Sequence, residues 1–63
     1  MKFVDLMSHN NRWGGFSILT IHLYDTGAKL SRRSLEIIYS EIPVDFYNCT
    51  VRWFNNDEVG IEV

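Results

Sequence analysis

A single cysteine, a single proline and no long apolar run mark this chain of 63 residues. Each shortage excludes something. With Cys49 alone, no intrachain disulfide can form, and no C-x-x-C pair exists for zinc. His9 and His22 are far apart, and neither has a cysteine or an acid at ligand spacing beside it. The sequence therefore offers no structural metal and no cofactor motif. No window approaches the roughly 18 apolar residues of a membrane span. The opening stretch Met1–Ser8 is short of the roughly 7–15 apolar residues of a secretion signal, and Asp5 interrupts it. A lone free thiol fits a reducing compartment, so the expectation is a cytoplasmic protein.

Charge of one sign is also lacking. Six Lys and Arg stand against eight Asp and Glu, a net charge of −2. A domain that grips a nucleic-acid backbone is normally strongly basic, because phosphate neutralisation supplies most of its affinity. A mimic of DNA needs a dense carboxylate surface. Neither extreme is present.

Aromatic residues, by contrast, are plentiful: two Trp, three Tyr and four Phe. The length makes residues 1–63 one small domain. A chain of this size buries only roughly 60% of the surface that its unfolded form exposes. Large aromatic side chains offset part of that shortfall. Self-association is another common remedy, and homodimerisation is left open.

Glycines at 14, 15, 27 and 60 and Pro43 punctuate the chain into four or five elements. Residues 2–7 can form a short strand, and residues 9–15 carry turn chemistry. Phe16 to Tyr24 is the clearest strand, with Leu19, Ile21 and Leu23 on one face and Phe16, Ile18, Thr20, His22 and Tyr24 on the other. Over 31–42, Ser31 suits an N-cap. Leu35, Ile38, Tyr39 and Ile42 follow helical spacing, and Pro43 is a stop. Arg32 and Arg33 oppose a helix there through its dipole, and Ile37-Ile38-Tyr39 also suits a strand. Helix is favoured. From Phe46 to Phe54 the pattern alternates, with Tyr47, Cys49, Val51 and Trp53 on the inner face. Residues 55–58 connect to a last strand through Val59, Ile61 and Val63. The expected fold is α+β: a small antiparallel sheet with one helix, in the order ββαββ. An all-β five-stranded small barrel is the alternative.

Few residues have a catalytic look. Asp25-Thr26-Gly27, followed by Ala28 and preceded by Ile21–Tyr24, resembles the active-site turn of retroviral-type aspartic proteases. That resemblance implies a carboxylate dyad across a dimer, with Asp25 as one member. No second strand ending in two apolar residues and glycine is present to brace such a dyad, and Asp, Thr and Gly are what a turn after a strand requires. Cys49 shares a face with Tyr47, Val51 and Trp53, the setting of an inert thiol. His22 has no identifiable catalytic partner. Gly14-Gly15 lies in no phosphate-loop pattern.

Other residues suit binding. Lys29, Arg32 and Arg33 form the one basic cluster. Trp13, in a glycine-rich turn after Arg12, reads as an exposed anchor, and Trp, Tyr and Arg are favoured at protein hot spots. Arg12-Trp13 and Arg52-Trp53-Phe54 set aromatics next to cations, which also suits single-stranded nucleic acid, with Arg12, Trp13, Lys29, Arg32 and Arg33 as its contacts; Trp53 falls on the expected core face.

Met1-Lys2-Phe3-Val4, then Ser8, then Ile21-His22-Leu23-Tyr24-Asp25-Thr26-Gly27-Ala28-Lys29-Leu30, resembles the opening strand and hairpin of a small phage anti-CRISPR family acting on type I surveillance complexes. The resemblance spans about half the chain and is gapped. It implies a β-hairpin docking on the crRNA-bearing backbone of the complex through a tyrosine, which here is Tyr24. After Arg33 the family continues as a strand, where the spacing here favours a helix.

Together these features point to a non-enzymatic protein-binding inhibitor or regulator, encoded by a phage or mobile element. It would act on a host protein or ribonucleoprotein complex in the bacterial cytoplasm. Trp13, Tyr24, Asp25, Lys29, Arg32 and Arg33 are the expected contact residues. A small single-stranded nucleic-acid-binding domain is the second reading, and a dimeric aspartic hydrolase using Asp25 the third.

Overall fold

A computed structural model describes residues 1–9 and 13–63. Arg12, a candidate for nucleic-acid contact, lies outside the described residues together with Asn10 and Asn11 of its turn. The chain opens with helix α1 (Phe3–His9), followed by strands β1 (Ile18–Tyr24) and β2 (Arg33–Ile38). Two short 3-10 turns, Tyr39–Glu41 and Val44–Phe46, lead to β3 (Thr50–Phe54) and β4 (Glu58–Glu62). The four strands make one open sheet in the order β2-β1-β4-β3. The α+β class holds, and the barrel alternative does not, because the sheet leaves two edges.

Three expectations are corrected. The helix is at the N-terminus, where a strand was expected, because Phe3, Leu6 and Met7 recur at i, i+3 and i+4 and turn together onto the core. Its first N–H groups are satisfied from outside the helix: Phe3 N donates to Cys49 O at 2.9 Å and Val4 N to Tyr47 O at 2.9 Å.

Second, residues 33–38 form a strand where a helix over 31–42 was expected. They pair antiparallel with β1 in six consecutive registers, from Leu23↔Arg33 to Ile18↔Ile38. Arg32 and Arg33 avoid the positive end of a helix dipole, and the β-branched pair Ile37-Ile38 sits in its preferred backbone region. Leu35, Tyr39 and Ile42 still reach the core, the last two through the turn that follows.

Third, the sheet is mixed. The β1–β2 and β3–β4 pairs are antiparallel hairpins, but β1 and β4 run parallel, with Ile21 opposite Val59 and Leu23 opposite Ile61.

The core lies on one face only. Leu19, Ile21 and Leu23 from β1 and Val59 and Ile61 from β4 are buried there beneath Phe3, Leu6, Trp13 and Ile42. Met7, Phe46, Tyr47 and Val51 pack around them. Among the described residues, no helix or loop is packed over the other face. No helix among the described residues is long and apolar enough to cross a membrane.

Candidate functional site on the uncovered sheet face

The uncovered face is built from Thr20, His22 and Tyr24 of β1, Ser34, Glu36 and Ile38 of β2, and Glu58, Gly60 and Glu62 of β4. Strand β3 enters it through an irregularity. Val51 pairs with Ile61, but Trp53, two residues on, pairs with Gly60, so Arg52 is an extra residue. Such a β-bulge reverses the in–out phase of the strand. The expected inner position of Trp53 is therefore corrected: Val51 stays in the core, while Arg52 and Trp53 both emerge on the open face. Phe54 turns back toward the core side, and its ring meets Trp13 edge-on at 6.5 Å.

Gly60 is the floor of this site. A Cβ there would stand 2.7 Å from Trp53 Cε2, 2.9 Å from Tyr24 Cε1 and closer still to Trp53 Nε1. The absence of a side chain lets the indole and the phenol meet across β4, where Trp53 Nε1 donates to Tyr24 Oη at 3.0 Å. The Arg52 guanidinium lies over the Tyr24 ring, 4.4 Å from its centroid. It also donates through Nε to Glu62 Oε1 at 3.2 Å and through Nη2 to Asp25 O at 3.1 Å, with a further short bond from Nη1 to Ala28 O. One arginine thus ties the aromatic pair to the β1–β2 turn.

His22 completes the row. Its ring lies 5.2 Å from Trp53, with Nε2 2.7 Å from Glu58 Oε1 and Nδ1 2.6 Å from Ser34 Oγ. The partners absent from the sequence reading are thus present. Ser, His and Glu form a hydrogen-bonded chain across three neighbouring strands. Acyl transfer also needs N–H donors aimed at a developing oxyanion, and the strand amides around Ser34 lie in the plane of the sheet. The chain orients the imidazole and links β2, β1 and β4.

The Asp25 motif is a turn. Ala28 N donates to Asp25 O at 3.0 Å, and Gly27 has φ 79°, as the third residue of a type II turn requires. The Asp25 carboxylate is exposed and accepts from Arg32 Nη1 at 3.0 Å. An aspartic dyad instead needs a second carboxylate sharing one proton.

The expected contact residues divide into two places. Tyr24 lies on the open face, with Asp25, Lys29, Arg32 and Arg33 exposed around the adjoining hairpin turn. Trp13 is a correction: it is 7% exposed, inside the core, and its Nε1 donates to Asn56 O at 2.8 Å. It closes the far end of the sheet, beside the β3–β4 connection. His22, Arg52 and Trp53 were not among the expected contact residues; Arg52-Trp53 stood out as a cation–aromatic pair, but alternation put Trp53 on the core face. The available signal was Gly60, since a glycine inside a strand often marks close approach of another group.

Cys49 is half-buried, and Sγ lies 3.8 Å from Asp45 O. Burial pushes its thiol up from the ordinary value, and the Asp45 carboxylate adds to the shift. Among the described residues, no three His, Cys, Asp or Glu side chains gather as a metal site would need. No protein-family model matches the sequence, and no curated protein or solved structure is found to be similar to it.

Proposed function

We propose that this chain is a non-enzymatic protein-binding module, an inhibitor or regulator, and that it binds through the uncovered sheet face around Tyr24, Arg52 and Trp53. The observation that carries the reading is the packing of Tyr24, Trp53 and Arg52 over Gly60 on the sheet face opposite the core. These are the residue types that dominate protein hot spots. Their mutual contacts hold them in place before binding, which lowers the ordering cost of association. Glu36, Glu58 and Glu62 share the face and disfavour a nucleic-acid backbone as the ligand.

A narrower form of the proposal takes its target from the anti-CRISPR resemblance: a type I surveillance ribonucleoprotein of a bacterial host. Tyr24, the residue that the resemblance singles out, belongs to the face. The chain also continues as a strand from Arg33, as that family does.

The test is affinity capture from bacterial lysates with and without such a complex, using the wild type, Tyr24→Ala, Trp53→Ala and Val44→Ser. Val44 is 70% exposed in a 3-10 turn away from the face. A stoichiometric protein partner kept by Val44→Ser and lost by both face variants, each checked for folding, is the expected result. No such partner under any condition, or one indifferent to both face variants, defeats the reading.

A further inference from the structure

The two edges of the sheet are not equivalent. Edge β3 is bent by the bulge at Arg52, and the N-terminus covers its start: Lys2 bridges to Thr50, and Val51 N donates to Met1 O at 2.9 Å. Among the described residues, edge β2 has neither protection. Its register with β1 is unbroken over six pairs.

The hydrogen-bond parity of β2 follows from its neighbours. Tyr39 N donates to Ser17 O, so residues 17 and 39 are a hydrogen-bonded pair, as are 19 and 37, 21 and 35, by alternation. The even residues of β1 turn the other way, toward β4, as Thr20 N to Asp57 O and Val63 N to Tyr24 O show. The N–H and C=O groups of Ser34, Glu36 and Ile38 therefore point outward from the sheet. They form an open template for one more strand.

Side chains at the same positions restrict what that strand can be. Glu36 is exposed and makes no ion pair among the described residues. Thr20 separates it from Glu58 across the face, so this part of the sheet is acidic. Ile38 lies directly opposite Ile18, which is 63% exposed, and Phe16 beyond it is 88% exposed. A second copy of the chain is a poor fit. In the one self-pairing register that engages all three outward residues, Glu36 meets Glu36 and Ile38 meets Ser34, and like charges directly opposite are destabilising.

We infer that the β2 edge accepts an extended segment of a partner protein as a fifth strand, with a Lys or Arg facing Glu36 and an apolar side chain facing Ile38. This rests on the protein-binding reading but uses a different surface from the Tyr24–Trp53 cluster.

The test is selection of a displayed library of random nine-residue peptides against the immobilised full chain. It is repeated with Glu36→Pro, Glu36→Lys and Trp53→Ala, and the oligomeric state is followed by sedimentation. Proline at 36 removes an outward N–H and leaves the β1–β2 ladder intact, so it blocks only the edge. Should that variant misfold, Glu36→Lys still tests the charge. The expected result is enrichment of peptides with a basic residue two positions from an apolar one. Their binding is lost with Glu36→Pro, weakened about tenfold with Glu36→Lys and kept with Trp53→Ala. Peptides that ignore Glu36→Pro, or no enrichment at all, overturn the edge proposal. So does a homodimer that Glu36→Pro dissociates. Peptides lost with Trp53→Ala and kept with Glu36→Pro overturn the edge proposal and leave the face reading standing.

Discussion

Replacing Gly60 by Ala tests the packing that defines the open face. The added methyl would lie 2.7 Å from Trp53 Cε2 and 2.9 Å from Tyr24 Cε1, well inside contact distance. Trp53 must move, and among the described residues no element is packed over it, so the indole can swing toward solvent without disturbing the backbone. The cost is then the lost indole packing plus the Trp53–Tyr24 hydrogen bond, which is worth about 1 kcal/mol net. Relief of strand flexibility returns roughly 0.5–1 kcal/mol, because glycine loses more freedom on folding than alanine. Overpacking of this kind typically costs about 1–3 kcal/mol, and the balance here is a destabilisation of about 1–2 kcal/mol. A chain of this length has a total stability of about 3–9 kcal/mol, so the change is readily measured. Urea unfolding should show a lower midpoint with an unchanged slope. The decisive comparison is Gly60→Ala in a Trp53→Ala background. There the clash with the indole is absent and only the 2.9 Å approach to Tyr24 Cε1 remains, so the alanine should cost less, with a coupling of about 1 kcal/mol. Equal destabilisation in both backgrounds would refute the claim that Gly60 exists to seat the indole.

Arg52→Lys should cost about 1–2 kcal/mol although it keeps the charge, because lysine cannot reproduce the fork that reaches Glu62, Asp25 and Ala28; thermal unfolding measures this. Asp25→Asn should change stability by less than about 1 kcal/mol, since the ion pair with Arg32 is exposed, and denaturant midpoints with and without added salt check it. Cys49 should alkylate more slowly at neutral pH than a free thiol, because its raised value keeps it protonated. The folded state then holds that proton where the unfolded state has released it, so this group's contribution to stability falls as pH rises past the unfolded thiol's value. Midpoints of wild type and Cys49→Ala across alkaline pH check that sign. Trp13→Phe should destabilise by about 1–2 kcal/mol through the lost bond from Trp13 Nε1 to Asn56 O and the smaller ring left in the core, read from urea unfolding.

Strand β1 was legible from sequence because a strict alternation over seven residues has one solution, and Leu19, Ile21 and Leu23 are buried as their spacing demands. The terminal strand and its Asn-rich connection were legible for the same reason, with Asn55 Oδ1 accepting from Glu58 N at 3.0 Å. Residues 31–42 were misleading because Leu35, Tyr39 and Ile42 reach the core from a strand followed by a turn, which happens to reproduce helical spacing. The helix at Phe3–His9 was hidden by its brevity, since two turns give few repeats of the 3.6 period. The site was obscured by one residue. Alternation carried through Arg52 places Trp53 inside, and the bulge that reverses it is hinted at only by Gly60 on the facing strand. Tyr24 was identified without its companions for that reason.

The parallel pairing of β1 with β4 also bears on how the chain reaches its fold. Both hairpins can form from residues close in sequence, which is fast. Neither can bury its inner face alone, because Ile21 and Leu23 lie against Val59 and Ile61 across the seam between the hairpins. Closing that seam brings together strands from opposite halves of the chain, and such non-local contacts slow folding. The rate-limiting event should therefore be the meeting of two preformed hairpins. Val59→Ala and Leu19→Ala, on opposite sides of the seam, should slow it, whereas changes confined to the Asp25–Ala28 turn should mainly alter the rate of unfolding.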